Sequence, residues 1–287
     1  MKTILVTGAY GQLGIVCTEY LKKYFKVYST GRSAKDERYQ LDISNKQSAR
    51  NALARFQPDI ILNLAAMTDV DSCENEPKIA EKYNADGLKN LCDGFDGHII
   101  QISTDYVFDG KNGPYAENDS TNPISVYGRT KLLAEEFLMN SKLNYTIIRT
   151  NVLYGDDKNT KASFLKWVIN SLENLRSIRV VKDQWNNPTS THSLASFILN
   201  IASSNTYGLY HYADQGLMSR FEFAQLIAKI FELDQSLIQP ILSSELNQLA
   251  PRPMLGGLKT QKIEEQLGIK PPSVETCLEE FRKMLSP

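Results

Sequence analysis

The chain has 287 residues, is 42% hydrophobic and 23% charged, and carries a net charge of −1. That composition is ordinary for a globular protein and long enough for one large domain or a domain with a smaller companion. No global basic field argues for nucleic acid, and no apolar run reaches the length of about 18 residues that suggests a membrane span.

The Lys2–Thr7 stretch is short, apolar and β-branched, as expected of a buried parallel strand. Its apolar run is too short for a signal-peptide core and leads directly into a glycine loop, so a cytoplasmic address is expected. The loop is Gly8-Ala9-Tyr10-Gly11-Gln12-Leu13-Gly14, a G-x-x-G-x-x-G spacing, and a helix is expected over 15–23. Glycines here allow a tight turn and let backbone amides approach a pyrophosphate at a helix N-terminus.

A second strand is expected over Lys26–Thr30. Dinucleotide folds that prefer NAD place an acid at the end of this strand. Ser29, Thr30 and Gly31 stand there instead, followed by Arg32, whose charge and fork suit a 2′-phosphate. The expected cofactor is therefore NADPH, with NADH the alternative. Arg32 also reads as a solvated loop residue beside Lys35, Asp36, Glu37 and Arg38.

A helix over 45–56, a buried strand over 59–65, a helix over 77–92 and a strand over 98–103 continue the alternation. This order predicts an α/β fold, a Rossmann-type doubly wound parallel sheet. Functional groups then gather at the carboxyl ends of strands. Gly14, Ala65 and Thr104 fall at or just beyond such ends, and Ala65-Ala66 are small enough to lie against a cofactor.

Tyr127 and Lys131 sit four apart in a helix-favouring stretch, so both point to one face. A cation beside a phenol is expected to lower its pKa and prepare a proton donor. A strand over 145–150 follows, and then the alternation weakens. Helices are expected over 162–174, 194–202, 221–231, 260–267 and 274–285, and strands over 177–181 and 208–212. Residues 1–150, with a return segment at 189–213, are assigned to the dinucleotide unit. Residues 151–188 and 214–287 are assigned mainly to a smaller substrate-binding lobe. The four cysteines and three histidines lack ligand spacing and point to neither disulfide nor metal.

These pieces resemble the extended short-chain dehydrogenase/reductases, and among them the dTDP-4-dehydrorhamnose reductases. The resemblance is carried by Thr7–Gly14, by Asn63–Asp71 with Glu74 and Pro77, and by Ser103-Thr104-Asp105-Tyr106-Val107-Phe108-Asp109-Gly110. It continues through Asn122-Pro123, Tyr127–Lys131, Arg149-Thr150, Asp183-Gln184, Pro188-Thr189 and Arg252-Pro253. It implies NADPH-dependent reduction of the 4-keto group of a nucleotide-activated 6-deoxysugar. Tyr127 would be the general acid, Lys131 would hold the nicotinamide ribose, and Thr104 would bond the ketone oxygen. Asp105 and Tyr106 would contact the sugar. Gly11 to Gly14 would cradle the pyrophosphate, Asp42-Ile43 would lie along the adenine, and Ala65-Ala66-Met67 would line the cofactor trough. Arg252, as a late cation, is a candidate for the sugar-nucleotide diphosphate, or else a solvated arginine before a proline turn.

Three departures stand out. The family often has a tryptophan after Arg149-Thr150, where this chain has Asn151-Val152. Met67 replaces an aromatic or histidine. Ile15 and Val16 occupy the region of a metal-binding glutamate, so no metal is expected there. Two other readings are an epimerase or dehydratase of the same superfamily and a regulatory subunit resembling that of methionine adenosyltransferase, which binds NADP and a partner enzyme. A monomer or homodimer is expected.

Overall fold

The computed structural model describes residues 1–155, 163–204 and 206–285. Five strands come first: β1 (Thr3–Thr7), β2 (Lys26–Ser29), β3 (Ile60–Asn63), β4 (His98–Thr104) and β5 (Asn144–Thr150). A sixth, Gly208–His211, joins them in one parallel sheet of order Gly208–His211, β5, β4, β3, β1, β2. Among the described residues, no helix is long and apolar enough to cross a membrane.

Period-two alternation of the strands supplies two apolar faces. Ile4, Val6, Ile60, Leu62, Ile100 and Ile148 face one way, against the helices Gln12–Leu21 and Thr191–Ser203. Leu5, Ile61, Ile99 and Ile147 face the other, against Lys46–Phe56, Gly87–Cys92 and Val126–Met139. Each helix layer covers one row, which is why both rows are apolar. Thr191–Ser203 packs on Gln12–Leu21 and leads into the sixth strand, so a segment far along the chain completes the first unit.

A second core lies beyond β5. The parallel pair Ile178–Val181 and Ile238–Ile241 packs with the helices Phe164–Glu173, Arg220–Ile230 and Val274–Leu285. Tyr154, Phe223, Leu278 and Phe281 fill its centre. The helix expected from residue 162 begins at Phe164; Ala162 lies outside the described residues.

The first helix begins at Gln12 rather than Ile15, with Gly11 as its cap, so Gln12, Leu13 and Gly14 form its first turn. The glycine run therefore provides the helix start and not only the loop before it. The helix expected over 77–92 is continuous but carries a wide π-type turn over Lys82–Asp86. Such turns re-aim side chains and are frequent near functional sites. Here the turn presents Tyr83 and Asn84 toward the strand ends.

The chain passes from β1 outward to β2 and then returns to β3 on the other side of β1. That reversal is the topological switch point, where doubly wound sheets open a crevice.

Candidate functional site

The crevice is a cavity of about 1040 Å³ that runs from the glycine loop past the ends of β3 and β4 to the start of the Arg220–Ile230 helix. Its floor begins at a polar relay across three strands. Thr7 Oγ1 donates to Asn63 Oδ1 (2.6 Å), and Asn63 Nδ2 donates to Gln101 Oε1 (2.7 Å). Thr7 Oγ1 also accepts from the backbone N–H of Ala65 (3.2 Å). Registers place Thr7 beside Asn63, and Asn63 beside Gln101, so the side chains meet at the carboxyl ends.

Two glycines are required by geometry. Gly8 has φ +63°, and a Cβ there would stand 2.8 Å from the backbone nitrogen of Ala65. A Cβ on Gly14 would stand 2.3 Å from the carbonyl oxygen of Gly8. The helix thus packs against its own loop only with glycine at 14, and the loop reaches β3 only with glycine at 8. Gly11 is different. Its added Cβ would meet only the Gly8 oxygen, at 3.4 Å. Gly11 lies on the cavity wall, where a bare backbone lets a phosphate approach the first turn. Gln12 Nε2 is buried there without a protein partner. The arrangement fits the pyrophosphate of a dinucleotide.

At the β2 end of the cavity, Arg32 is exposed and donates through Nη1 to Tyr83 Oη (2.9 Å), with its guanidinium 4.7 Å from the centre of that ring. Asp42 and Ile43 line the same end, and Ala65, Ala66 and Met67 line the middle. Asn84 clamps Met67: its Oδ1 accepts from the Met67 N–H (2.7 Å) and its Nδ2 donates to the Met67 carbonyl (3.1 Å). The same Nδ2 donates to Thr130 Oγ1 (3.0 Å), which ties this wall to the next helix.

That helix, Val126–Met139, starts at a defined point. Ser125 Oγ accepts from the Gly128 N–H (3.2 Å), and Glu74 Oε2 accepts from the Val126 N–H (2.9 Å). Capping in this way satisfies amides left over in the first turn. It places Tyr127 in the first turn and Lys131 one turn on, both facing the cavity beside Thr104 and Asp105 from the end of β4. Thr104 Oγ1 accepts from the Tyr106 N–H (3.2 Å) and donates to Asp105 Oδ1 (3.3 Å).

The electrostatics correct one expectation. Burial pushes the Tyr127 phenol above the ordinary tyrosine range, and the charge of Asp105 adds to this, while a hydrogen bond with Thr104 opposes it. The Lys131 ammonium donates to the Ile102 carbonyl (2.6 Å), and burial, not that charge, decides the direction in which Tyr127 moves. Burial pulls Lys131 down to about 8, against the carboxylate of Glu135, which pulls it up. Loss of hydration disfavours both charged forms, so Tyr127 holds its proton firmly.

Beneath Lys131 lies a buried ion pair that sequence reading did not single out. Arg149 binds Glu135 through Nε (3.0 and 3.1 Å) and Nη2 (2.7 Å), and Ser103 Oγ donates to Glu135 Oε1 (2.5 Å). Glu135 is one helical turn beyond Lys131, and Ser103 precedes Thr104, so one carboxylate braces both. The spacing of Lys131 and Glu135 was the available signal.

Asp105 is buried, and its carboxyl is pushed up to about 6 by desolvation, opposed by Thr104, the backbone of Gly257 and the positive charge of Arg220. Tyr106 stands edge-on to Tyr127, with ring centres 5.7 Å apart.

The expected late cation is placed elsewhere. Arg252 Nη1 donates to Asp71 Oδ1 (3.0 Å) and to the Ala250 carbonyl (2.8 Å), and Arg252 does not line the cavity. It clips the late segment to the short helix Val70–Asn75. Among the described residues beyond β5, the cation that lines the cavity is Arg220, at the first position of its helix. Its Nε donates to Gln184 Oε1 (3.3 Å), and its guanidinium lies 5.8 Å from the Phe164 ring. A serine-glutamate capping box, Ser219 and Glu222, sets that helix start and was the readable signal. The Asp183–Thr189 segment serves as a staple: Trp185 and Met254 are joined backbone to backbone, and Asn187 Oδ1 accepts from the Leu258 N–H (2.9 Å).

Among the described residues, no cluster of three or more His, Cys, Asp or Glu is placed to hold a metal ion. His98 and His211 are buried and held neutral, drawn down to about 4 and about 3.

A parallel doubly wound sheet with a glycine loop at its switch point, and a threonine, a tyrosine and a lysine around one cavity, define an NAD(P)-dependent oxidoreductase of the extended short-chain dehydrogenase/reductase class. The model of the RmlD substrate binding domain family matches residues 1–286, and the chain belongs to that family. It is 35% identical to a dTDP-4-dehydrorhamnose reductase of Clostridium acetobutylicum, whose crystal structure superposes with a TM-score of 0.90 over 99% of each chain. The reductase of Bacillus anthracis, solved in complex with NADP, is 31% identical, with a TM-score of 0.91 over 99% of this chain and 100% of that one. Methionine adenosyltransferase 2 subunit beta of Bos taurus is 30% identical, covering 93% of this chain and 83% of that protein.

Proposed function

We propose that the chain uses NADPH to reduce the 4-keto group of a nucleotide-activated 6-deoxysugar, dTDP-4-dehydro-L-rhamnose to dTDP-L-rhamnose. The supporting observation is the convergence of Thr104, Tyr127 and Lys131 on one cavity whose other end is a glycine loop shaped for a pyrophosphate. Residues 1–150 with 189–213 hold the cofactor, and 151–188 with 214–287 enclose the sugar nucleotide.

Bound nicotinamide supplies the hydride that adds to C4. The ketone oxygen takes its place between the Thr104 hydroxyl and the Tyr127 phenol. Tyr127 gives that oxygen its proton as negative charge develops, which yields the C4 hydroxyl and a phenolate. The Lys131 ammonium stabilises the phenolate until it regains a proton from solvent. Arg32 and Tyr83 meet the 2′-phosphate, and Arg220 meets the sugar-nucleotide diphosphate.

The test is oxidation of NADPH, followed at fixed protein, with thymidine, uridine, cytidine and guanosine diphosphate 4-ketosugars. Turnover with the thymidine sugar, lost by about 10²–10⁴-fold in Tyr127→Phe with NADPH binding kept, is the expected result. Arg32→Ala should weaken NADPH more than NADH. No turnover with any ketosugar would sink the reductase reading. The likeness to the methionine adenosyltransferase subunit favours a second reading, an NADP-binding regulatory subunit, which predicts binding of NADPH without turnover.

A further inference from the structure

Buried polar side chains normally find partners, and the exceptions carry information. Among the described residues, the side-chain atoms buried without a protein partner are Gln12 Nε2, Thr150 Oγ1, both Asn151 amide atoms and Thr191 Oγ1. Gln12, Thr150 and Asn151 all line the main cavity. Gln12 belongs to the glycine loop. Thr150 and Asn151 form a second cluster, at the carboxyl end of β5.

Their position is set by the sheet. Thr150 is the register partner of Thr104, and Asn151 is the next residue along. Neighbouring strands lie about 4.8 Å apart, so the Asn151 backbone is one strand and one residue from the hydroxyl assigned to the ketone. Asn151 is only 6% exposed. Its amide offers one donor group and one acceptor, and neither is used within the protein. A group fitting both must itself donate and accept. A hydroxyl does so, as does the carboxamide of a nicotinamide, which the NADPH measurement below separates; a methyl, a ring oxygen or a carbonyl does not. In a 4-keto-6-deoxy pyranose, the carbons beside C4 are C3, which bears a hydroxyl, and C5, which bears the methyl group and the ring oxygen.

We propose that Asn151 is a specificity-determining residue that reads the C3 hydroxyl of the ketosugar, so the site takes sugars with a free hydroxyl beside the ketone. This assignment rests on the reductase reading above. Thr150 Oγ1 supplies a further partner on the same side. The grip also fixes the rotation of the ring about the ketone, and so which face of C4 meets the hydride. A site that hydrogen-bonds a substrate hydroxyl discriminates strongly against the analogue lacking it, because its own polar groups are then stranded.

The experiment compares wild type, Asn151→Leu and Asn151→Asp on dTDP-4-keto-6-deoxyhexose and on its 3-deoxy analogue, with NADPH dissociation and melting temperature measured for each. Wild type should prefer the 3-hydroxy sugar. Asn151→Leu should lose about 10–10²-fold in kcat/KM on it and change little on the 3-deoxy sugar, so that the preference collapses. Asn151→Asp keeps an acceptor and should retain part of the preference. NADPH affinity should stay the same. The melting temperature of Asn151→Leu should hold or rise, since two stranded polar atoms are removed; a structural asparagine would give the opposite. Equal losses on both sugars, or weakened NADPH binding, would overturn the assignment while leaving the reductase reading in place. A wild type idle on both sugars would overturn that reading, and this assignment with it.

Discussion

Lys131 is a buried ammonium held one helical turn from a buried carboxylate, and its proton is loosely kept. Its carbonyl partner, Ile102, accepts but does not neutralise, so the charge depends on Glu135. Because its pKa is drawn down to about 8, the ammonium is present below that pH and lost above it. The proposed reduction should therefore weaken as pH rises through about 8, read as kcat/KM for the ketosugar. Tyr127 stays protonated across this range, so the alkaline limb belongs to the lysine. Glu135→Gln should move the limb to lower pH, since the charge that raises Lys131 is gone. The same change leaves Arg149 without its ion-pair partner, at a cost of about 3–5 kcal/mol. Circular dichroism and NADPH binding should accompany the profile. An unmoved limb in a folded variant would show that Glu135 does not set the lysine.

Among elements, the helix Arg220–Ile230 and the segment carrying Arg252 divide a role that sequence alone gave to one arginine. Arg220 leads a capped helix whose positive end favours an anion, and it faces Asp105 and Tyr106 across the cavity. Arg252 is paired with Asp71 and depresses that carboxyl. Arg220→Ala should raise KM for the sugar nucleotide about tenfold or more, with NADPH affinity unchanged, since a charged hydrogen bond contributes about 1.5–3 kcal/mol. Arg252→Ala should leave KM closer to wild type and lower the melting temperature, because it unclips the late segment from Val70–Asn75. Steady-state kinetics and thermal melts of the two variants check this. The reverse pattern would return the diphosphate to Arg252.

In the whole molecule, two buried carboxyls work against stability near neutral pH. Asp214 accepts from the Ser190 N–H (2.7 Å) and from Ser193 Oγ (2.5 Å), yet desolvation prevails and pushes it up to about 6. Asp105 is raised to about 6 by the same cause. Between their unfolded value near 3.8 and about 6, the folded protein binds more protons than the unfolded chain. Their contribution is fully favourable below that window and is lost as pH rises through about 6. Each is worth on the order of 3 kcal/mol across it. Urea unfolding of Asp214→Asn should therefore show a flatter fall between pH 4 and 6 than wild type. A slope identical to wild type would mean the carboxyl is already ionised throughout.

The parallel sheet, its two apolar faces, the glycine loop and the Tyr127–Lys131 helix were legible in the chain because each rests on short-range pattern. Alternation of period two, a glycine spacing and an i, i+4 pair survive in one dimension. Three things were not legible, and each depends on residues distant in sequence. The strand Ile238–Ile241 carries Pro240, which argues against a strand, yet it pairs with Ile178–Val181 at a small sheet's edge, where proline is tolerated. That Arg220 and not Arg252 lines the cavity could not be read in one dimension, because Arg252 pairs with Asp71, far away in the chain. The fall of the Lys131 proton affinity and the rise of Tyr127 came from burial, a property of the packed molecule. The residues carry the chemistry, but hydration is lost only when the sheet and its helices close around them, and tertiary structure alone decides which charges keep a partner.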